Sequence, residues 1–461
     1  MLHRLKSFLR GNPYKRPRLT PWQPPARGEN AGPPFEVTSI EMIDASPHIA
    51  GAHLDYPVAG YQGAEHQLEI GGWVFGGQFP ATEVVLYDHQ GIEILRTPCS
   101  IRRYDGAGKV SNAVEQNGGF WLPMSIVANQ CELRYTLVAI LGNGAHIPFA
   151  NLVIKANTLC EYQSAIAPLL LTSLGRTGST WVIGLLARHP QIIAIDPQHF
   201  DPRVATYWSG IIAGLAQPQS YMQMTTPGAM HSRGWWLGSP LSFKSNPPQD
   251  ALLNYLHGTG VESIADFGLR QIEGLYQHLR SSQGRDAPRY YVEKFVPRIE
   301  RLTLRNLCPG AREVVLVRDP RDVICSALAF NKKRGYQSFG REAVQSDEEY
   351  VRWFKGSVES LANLLDSSAR PVHLLRYEEI VRSPREGLRG LCRFLELDGS
   401  DATIDYILKE RSEEVLKDHR TTATPAESIG RWETDFTPAM RTAAREALDP
   451  LLLKLGYPAT A

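Results

Sequence analysis

A nearly continuous apolar run at residues 167–174 leads directly into a glycine-rich loop and then into an apolar helical pattern. Apolar runs of this kind are typical of central strands in parallel sheets, which are buried on both faces. The loop reads GRTGST at residues 175–180, and WVIGLLARH follows it. A strand, a tight glycine turn and a helix start direct backbone N–H groups and the helix dipole at one anion. The segment therefore predicts a parallel sheet with an anion site at its carboxyl edge.

The loop also allows a second interpretation, in which Ser179 and Thr180 only cap the following helix. A Walker A motif is excluded, because GxxxxGK[ST] requires a lysine directly before the hydroxyl residue and Gly178 occupies that position. Arg176 favours the anion site, since a fixed positive charge there can bridge a phosphate and its leaving partner.

Strand-like and helix-like segments alternate from residue 167 onward, which is typical of a parallel sheet covered by helices. Residues 312–318 and 371–377 give two further buried strand patterns. A capping box at Ser383 and a Thr437–Pro438 pair each predict a helix start. We predict a P-loop-like α/β domain over residues 167–461. The stretch 201–289 of this domain fits neither the helical nor the strand period and is predicted to be a substrate-side insertion.

The preceding residues, 35–157, contain short strand-like segments separated by turn signals, with no long helical period. We predict an all-β, sandwich-like domain there. It contains no paired carboxylates, metal-ligand cluster or nucleophile constellation. Trp73 and Trp121 fit the core of a small sandwich better than a sugar-stacking surface. The sequence therefore predicts no role for this domain.

The first 34 residues are rich in proline and carry only positive charges up to Arg27. A disordered arm is predicted, and a basic anchor at a membrane surface is the alternative. Basic residues interrupt the apolar positions near the start, so no signal-peptide core is present. Nowhere does an apolar run reach the length of about 18 residues that a transmembrane helix needs.

Composition limits the functional classes. The 461 residues suggest two or three domains, and 43% hydrophobic with 21% charged residues excludes a mostly disordered or fibrous chain. The net charge is +1, which points to no polyanionic partner such as nucleic acid. The six cysteines form no CxxC, so we expect no structural zinc site and a reduced, cytoplasmic compartment.

A second motif follows the predicted strand at 312–318. Arg318 ends that strand, and Ser326 lies eight residues further on, about two turns into the next helix. Taken alone, the segment also fits a surface salt-bridge cluster in which Asp319 caps an ordinary helix.

Together, the two motifs resemble the two cofactor-binding signatures of the sulfotransferase family, which uses 3′-phosphoadenosine 5′-phosphosulfate (PAPS). GRTGSTW at 175–181 is similar to its 5′-phosphosulfate loop, and the Arg318–Ser326 spacing is similar to its 3′-phosphate signature. EK at 293–294, RYEE at 376–379 and SIGRW at 428–432 resemble further family segments in the same order. The resemblance covers about residues 168–457, without the stretch 201–289.

The resemblance implies a role for each matched residue. Arg176 and Lys294 would stabilise the sulfuryl group and the leaving phosphate. Asp196, with His199 as competitor, would be the base for the acceptor hydroxyl. The residues implied in binding PAPS are Gly175, Arg176, Thr177, Gly178, Ser179, Thr180, Trp181, Arg318, Ser326, Tyr377, Ser428 and Arg431.

The implied function is transfer of a sulfuryl group from PAPS to a hydroxyl, on a carbohydrate, glycolipid or other glycoconjugate, without a metal. Two alternatives remain open at this point. One is a nucleotide-dependent kinase, which would want a P-loop lysine and an acidic residue for magnesium. The other is a non-catalytic carbohydrate-binding protein with a degenerate transferase half. Every matched residue lies beyond residue 156, so a chain that starts there is expected to retain nucleotide binding.

Overall fold

The computed structural model describes residues 32–43, 46–103, 117–195, 202–216, 258–366, 372–409 and 420–460. The predicted arm up to residue 31, both candidate bases (Asp196 and His199) and residues 217–257 of the predicted insertion lie outside these ranges. No helix among the described residues is long and apolar enough to cross a membrane.

Two antiparallel sheets form the first part of the described chain. The strands are β1 Phe35–Met42, β2 Ile49–Tyr56, β3 Gln62–Gly63, β4 Gln67–Gly76, β5 Ala81–Asp88, β6 Glu93–Pro98, β7 Gly119–Ser125, β8 Cys131–Leu141 and β9 His146–Ala156. Six of them pair in the order β3-β1-β9-β8-β5-β6, and three pair in the order β2-β4-β7.

The inner faces of these two sheets share one hydrophobic core. Leu86 and Leu137 of the larger sheet pack in the same cluster as Ile70 and Leu122 of the smaller one. Alternate residues of β7 and β8 lie in this core, as a strand periodicity of two requires. Trp73 is 6% exposed. The predicted β-rich region is thus confirmed.

A five-stranded parallel sheet forms the second part. Its strands are β10 Ala167–Ser173, β11 Ile192–Ala194, β12 Tyr290–Phe295, β13 Arg312–Val317 and β14 Val372–Arg376. They pair in the order β11-β12-β10-β13-β14. The central strand β10 is buried from its second residue to its last, as the apolar run predicts. The fold class is therefore confirmed.

Helices cover both faces of this sheet. The described helices are α1 Ser179–Leu186, α2 Val204–Ala216, α3 Gly260–Ser282, α4 Ile299–Leu307, α5 Pro320–Arg334, α6 Asp347–Asp366, α7 Tyr377–Arg382, α8 Pro384–Leu395, α9 Asp401–Leu408, α10 Trp432–Asp435, α11 Pro438–Ala447 and α12 Asp449–Lys454. Leu169 and Leu171 pack with α1, α8 and α9 on one face, whereas Leu170 packs with α2, α3 and α4 on the other. Helices α5, α6, α11 and α12 pack against β13 on that second face.

Three local expectations differ from the structure. The pattern at 371–377 predicts a buried strand, but β14 lies at the edge of the sheet and only Leu375 in it is buried. The stretch 201–289 contains the helices α2 and α3 where it is described. Its helical period is hard to read because the buried face of α3 includes the polar residues Glu262, Asp266 and Glu273. Helix α8 begins at Pro384 as predicted, but the Ser383 side chain makes no cap hydrogen bond.

Candidate functional site

The loop between β10 and α1 lies at the carboxyl edge of the parallel sheet. Gly178 is the N-cap of α1, with φ 90°, and no side chain caps the first turn of the helix. A Cβ atom at Gly178 would lie 2.4 Å from the Tyr377 ring, so only glycine fits this backbone position. Ser179 and Thr180 lie inside the helix and do not cap it. The capping interpretation of the loop is therefore wrong, and the helix start is open to an anion.

Arg176 supplies positive charge from the middle of the loop. Its backbone is in the left-handed region, with φ 67°. Its Nε donates to Ser326 Oγ at 3.3 Å, and its guanidinium lies 4.0 Å from the centre of the Phe330 ring. Burial, followed by the positive charges of Arg318 and Arg334, lowers the pKa of Arg176 to about 10. A half-buried arginine beside other arginines favours the binding of an anion.

Arg318 follows β13 and is 5% exposed. It donates to the carbonyl oxygens of Arg176 at 3.1 Å and Ser428 at 2.6 Å. Its Nε is buried and has no hydrogen-bond partner among the described residues. A buried N–H group without an acceptor costs folding free energy. An anionic ligand with acceptor oxygens, such as a phosphate, would supply the missing partner.

A cleft joins the two arginines. Nine predicted cofactor-binding residues line it: Arg176, Gly178, Ser179, Thr180, Trp181, Arg318, Ser326, Tyr377 and Ser428. The remaining wall is formed by residues that the sequence motifs did not reveal: Arg420, Thr421, Thr422 and Pro425. These four belong to no matched motif, and their closeness to Ser428 in sequence is the one signal that points to them.

Aromatic rings form one wall of the cleft. Trp181 and Tyr377 pack edge to face with ring centres 6.2 Å apart. The Tyr377 hydroxyl lies 3.1 Å from Ser428 Oγ, and Arg318 lies over the same tyrosine ring at 4.7 Å. An edge-to-face pair beside a cationic group is suited to a flat heteroaromatic ring that carries phosphates.

Lys294 reaches the loop from β12. Its Nζ donates to Thr180 Oγ1 at 2.7 Å, and the residue is 5% exposed. The neighbouring Glu293 accepts from the backbone N–H groups of Ala205 and Thr206 instead. Alternation along the strand thus directs Lys294 to the α1 start and Glu293 to the α2 start.

Three predicted binding residues do not line the cleft. Thr177 Oγ1 donates to the Leu174 carbonyl at 2.9 Å and so stabilises the loop itself. Gly175 packs beneath Phe339, whose ring would lie 2.8 Å from an added Cβ atom. Arg431 donates to Asp435 at 2.7 Å and to Thr421 at 3.2 Å. It therefore supports the cleft wall from behind.

The second motif has the predicted helix cap, but its salt bridge is buried and not at the surface, since Arg321 is 0% and Asp319 is 7% exposed. Asp319 caps α5 by accepting from the Arg321 N–H, and pairs with the Arg321 side chain. Arg318 and Ser326 nevertheless line the cleft. In the described ranges, no three His, Cys, Asp or Glu side chains gather as a metal site would require.

The model of a protein family described as the sulfotransferase family matches residues 168–401, just over half of the chain. No curated protein matches the sequence. Among solved structures, the sulfotransferase domain from the curacin biosynthetic pathway is 18% identical, with a TM-score of 0.37 over 63% of this chain and 98% of that one.

Two further solved structures are similar at the same level. A sulfotransferase from Alicyclobacillus acidocaldarius is 16% identical, with a TM-score of 0.34 over 63% of this chain and 94% of that one. A mouse sulfotransferase complexed with PAP is 12% identical, with a TM-score of 0.36 over 64% of this chain and 88% of that one.

Proposed function

The chain belongs to the sulfotransferase family, and we propose that it transfers a sulfuryl group from PAPS to an acceptor hydroxyl. The observation that carries this proposal is the cleft that joins Arg176, Arg318 and the uncapped start of α1. The buried Nε of Arg318 supports it, because a 3′-phosphate would supply the acceptor that this donor lacks among the described residues.

Each wall of the cleft has its own proposed part in donor binding. The α1 start, with the hydroxyls of Ser179 and Thr180, binds the 5′-phosphate. Arg318 and Ser326 bind the 3′-phosphate, which distinguishes PAPS from an adenylate. Trp181 and Tyr377 contact the adenine ring. The Ser428 hydroxyl orients that tyrosine.

The transfer forms a bond between the acceptor oxygen and sulfur and breaks the bond between sulfur and the bridging phosphate oxygen. The phosphate leaves with the electron pair, so negative charge grows on its oxygens. We assign the stabilisation of this charge to Arg176 and Lys294, since fixed cations in a dry site require little reorganisation. The acceptor proton passes to a base, for which we propose Asp196 or His199.

We propose a carbohydrate or glycolipid hydroxyl as the acceptor. The support is the resemblance of Glu293–Lys294 to the corresponding segment of carbohydrate-type members of the family. Lys294 contacts Thr180, the residue that follows Ser179 in α1. This places a second cation, besides Arg176, next to the loop.

Two measurements test the proposal. Calorimetric titration should show adenosine 3′,5′-bisphosphate binding far more tightly than AMP, without magnesium. Mass spectrometry should show PAPS-dependent addition of a sulfuryl group to members of a pooled glycan and alcohol library. Preference for AMP or ATP, with a need for magnesium, would favour a kinase and contradict the proposal.

A further inference from the structure

Two side chains of α5 contact the Arg176 side chain, and a third on the same face of the helix contacts one of them. Ser326, Phe330 and Arg334 are spaced at four-residue intervals, so they share a face of the helix. Ser326 accepts a hydrogen bond from Arg176, and Phe330 offers its ring face to the same group. Arg334 lies 4.6 Å from the centre of that ring as well. The side chain of Arg176 is therefore contacted by α5, a helix that follows β13 and not the strand β10 that precedes the loop.

Phe330 is held firmly in place. It is 2% exposed and packs edge to face with Phe339, with ring centres 5.9 Å apart. Phe339 in turn lies against Gly175, where an added Cβ atom would lie 2.8 Å from its ring. The ring that contacts the Arg176 side chain is thus linked through Phe339 to the backbone of the same loop.

An aromatic face is a special partner for a guanidinium. A carboxylate would occupy the N–H groups along the guanidinium edge and cancel its charge. A ring face instead attracts the delocalised charge, restricts rotation of the guanidinium and leaves its positive charge uncancelled. This contact is stronger in a site shielded from water.

We infer that Phe330 is a positioning residue for sulfuryl transfer, whose ring fixes the Arg176 guanidinium in the cleft beside the position proposed for the sulfuryl group. This inference rests on the proposed function for the identity of that group. The contact itself belongs to the free protein and can be measured without any ligand.

The first test is nuclear magnetic resonance of the free protein labelled with ¹⁵N-arginine. The Nε–Hε signal of Arg176, identified by its loss in Arg176→Lys, should be displaced by the ring current of Phe330. It should move to the position of an unstacked arginine in Phe330→Leu and stay displaced in Phe330→Tyr. An unmoved signal in Phe330→Leu overturns the inference.

The second test is steady-state kinetics with PAPS and the acceptor found by mass spectrometry. Phe330→Leu should lower kcat roughly ten- to a hundredfold, since small misplacements of a catalytic group have effects of this size. The Kd of adenosine 3′,5′-bisphosphate should change less than about threefold, because Arg318 and the α1 start bind it. Phe330→Tyr should keep kcat within a few-fold of the wild type.

Phe354→Leu is the matched control. Phe354 is 5% exposed in the core beside α5, so the substitution removes a comparable ring. Its kcat should equal that of the wild type. An equal loss of kcat in Phe330→Leu and Phe354→Leu, or in Phe330→Leu and Phe330→Tyr, overturns the inference. Failure of the wild type to bind the bisphosphate would contradict the proposed function. The resonance test would then still decide whether Phe330 contacts Arg176.

Discussion

At the scale of single residues, the buried Arg318 and the half-buried Arg176 give the candidate donor cleft its charge. Arg176 comes from the first loop of the parallel sheet, and Arg318 from the end of the neighbouring strand β13. Arg318 donates to the Arg176 carbonyl, so it also orders the loop whose charge it repels. Binding of an anion between them would relieve this repulsion.

The first prediction concerns recognition of the 3′-phosphate. Arg318→Ala should weaken adenosine 3′,5′-bisphosphate by roughly ten- to a hundredfold, because a charge-assisted hydrogen bond contributes about 1.5–3 kcal/mol. The weak binding of AMP should barely change. Calorimetric titration of both ligands measures this, with Arg393→Ala on the exposed face of α8 as control. Equal loss for both ligands would show that Arg318 does not bind the 3′ group.

The second prediction concerns turnover. Arg176→Ala should remove most sulfuryl transfer, because the loop loses its fixed cation. The free energy of unfolding should change by no more than about 1 kcal/mol, since a half-buried cation beside like charges contributes little stability. Kinetics and urea unfolding of the same preparation give both values. Near-normal turnover in the variant would remove Arg176 from the proposed mechanism.

At the scale of elements, the first turn of α5 organises the late segment of the chain. Asp322 accepts the backbone N–H groups of Gly430 at 2.7 Å and Trp432 at 3.0 Å. Arg321 lies 3.8 Å from the centre of the Trp432 ring. The segment that carries Ser428 into the cleft is thus attached to the same helix that supplies Ser326.

The third prediction concerns pH. Burial raises the pKa of Asp322 from 3.8 to about 6. The folded protein therefore binds this proton more readily than the unfolded chain, and the resulting stability is complete below pH 3.8 and lost as pH rises through 6. Between pH 4 and pH 7, wild-type protein should lose about 1–3 kcal/mol of stability relative to Asp322→Asn.

Urea unfolding of both proteins across this pH range measures the difference. Asp88, whose pKa burial also raises to about 6, is present in both proteins and cancels in the comparison. Parallel stability curves for wild type and variant would contradict the assignment.

At the scale of the whole molecule, the β-rich region and the α/β sheet share a buried polar interface. Gln90 accepts from Arg301, whose guanidinium pairs with Glu313 of β13. Asn129 accepts from the Leu159 N–H at 2.7 Å and donates to the Leu307 carbonyl at 2.8 Å. Residues 32–461 form one compact unit by their contacts. The domain limits 35–157 and 167–461 stay a prediction.

The fourth prediction tests this interface. Asn129→Ala should lower the free energy of unfolding by about 2–3 kcal/mol, because it leaves buried backbone groups without partners. The Kd of the bisphosphate should not change, since Asn129 lies outside the cleft. The exposed neighbour Gln130→Ala is the control. A matching stability loss in both variants would mean that the buried bonds of Asn129 contribute nothing.

The interface also changes the expectation for a truncated chain. A chain that starts at about residue 156 lacks Gln90 and Asn129, and the Arg301–Glu313 pair loses its polar cover. Breaking a buried charge network is strongly destabilising. We therefore expect this fragment to unfold at a lower urea concentration than the full chain. An unchanged midpoint would show that the α/β sheet is stable by itself.

The sequence by itself determined the parallel sheet and the loop at its carboxyl edge. The apolar run before Gly175 and the glycine at 178 act locally, because burial on two faces and a positive φ limit which residues can stand there. The strand end at Arg318 was predictable for the same reason. Helix geometry then placed Ser326 about two turns into the next helix, whereas its role came from the resemblance to the sulfotransferase family.

Only the tertiary structure decided which residues meet in the cleft. Arg420 enters its wall and Arg431 does not, although the motif includes only Arg431. Phe330 contacts Arg176 across 154 positions of sequence, a contact that no local period encodes. The buried polar face of α3 hid its helical pattern for the same reason. Buried polar and charged side chains find their partners in distant segments of the chain. Whether such a residue can stand in a buried position is therefore decided only when the chain has folded.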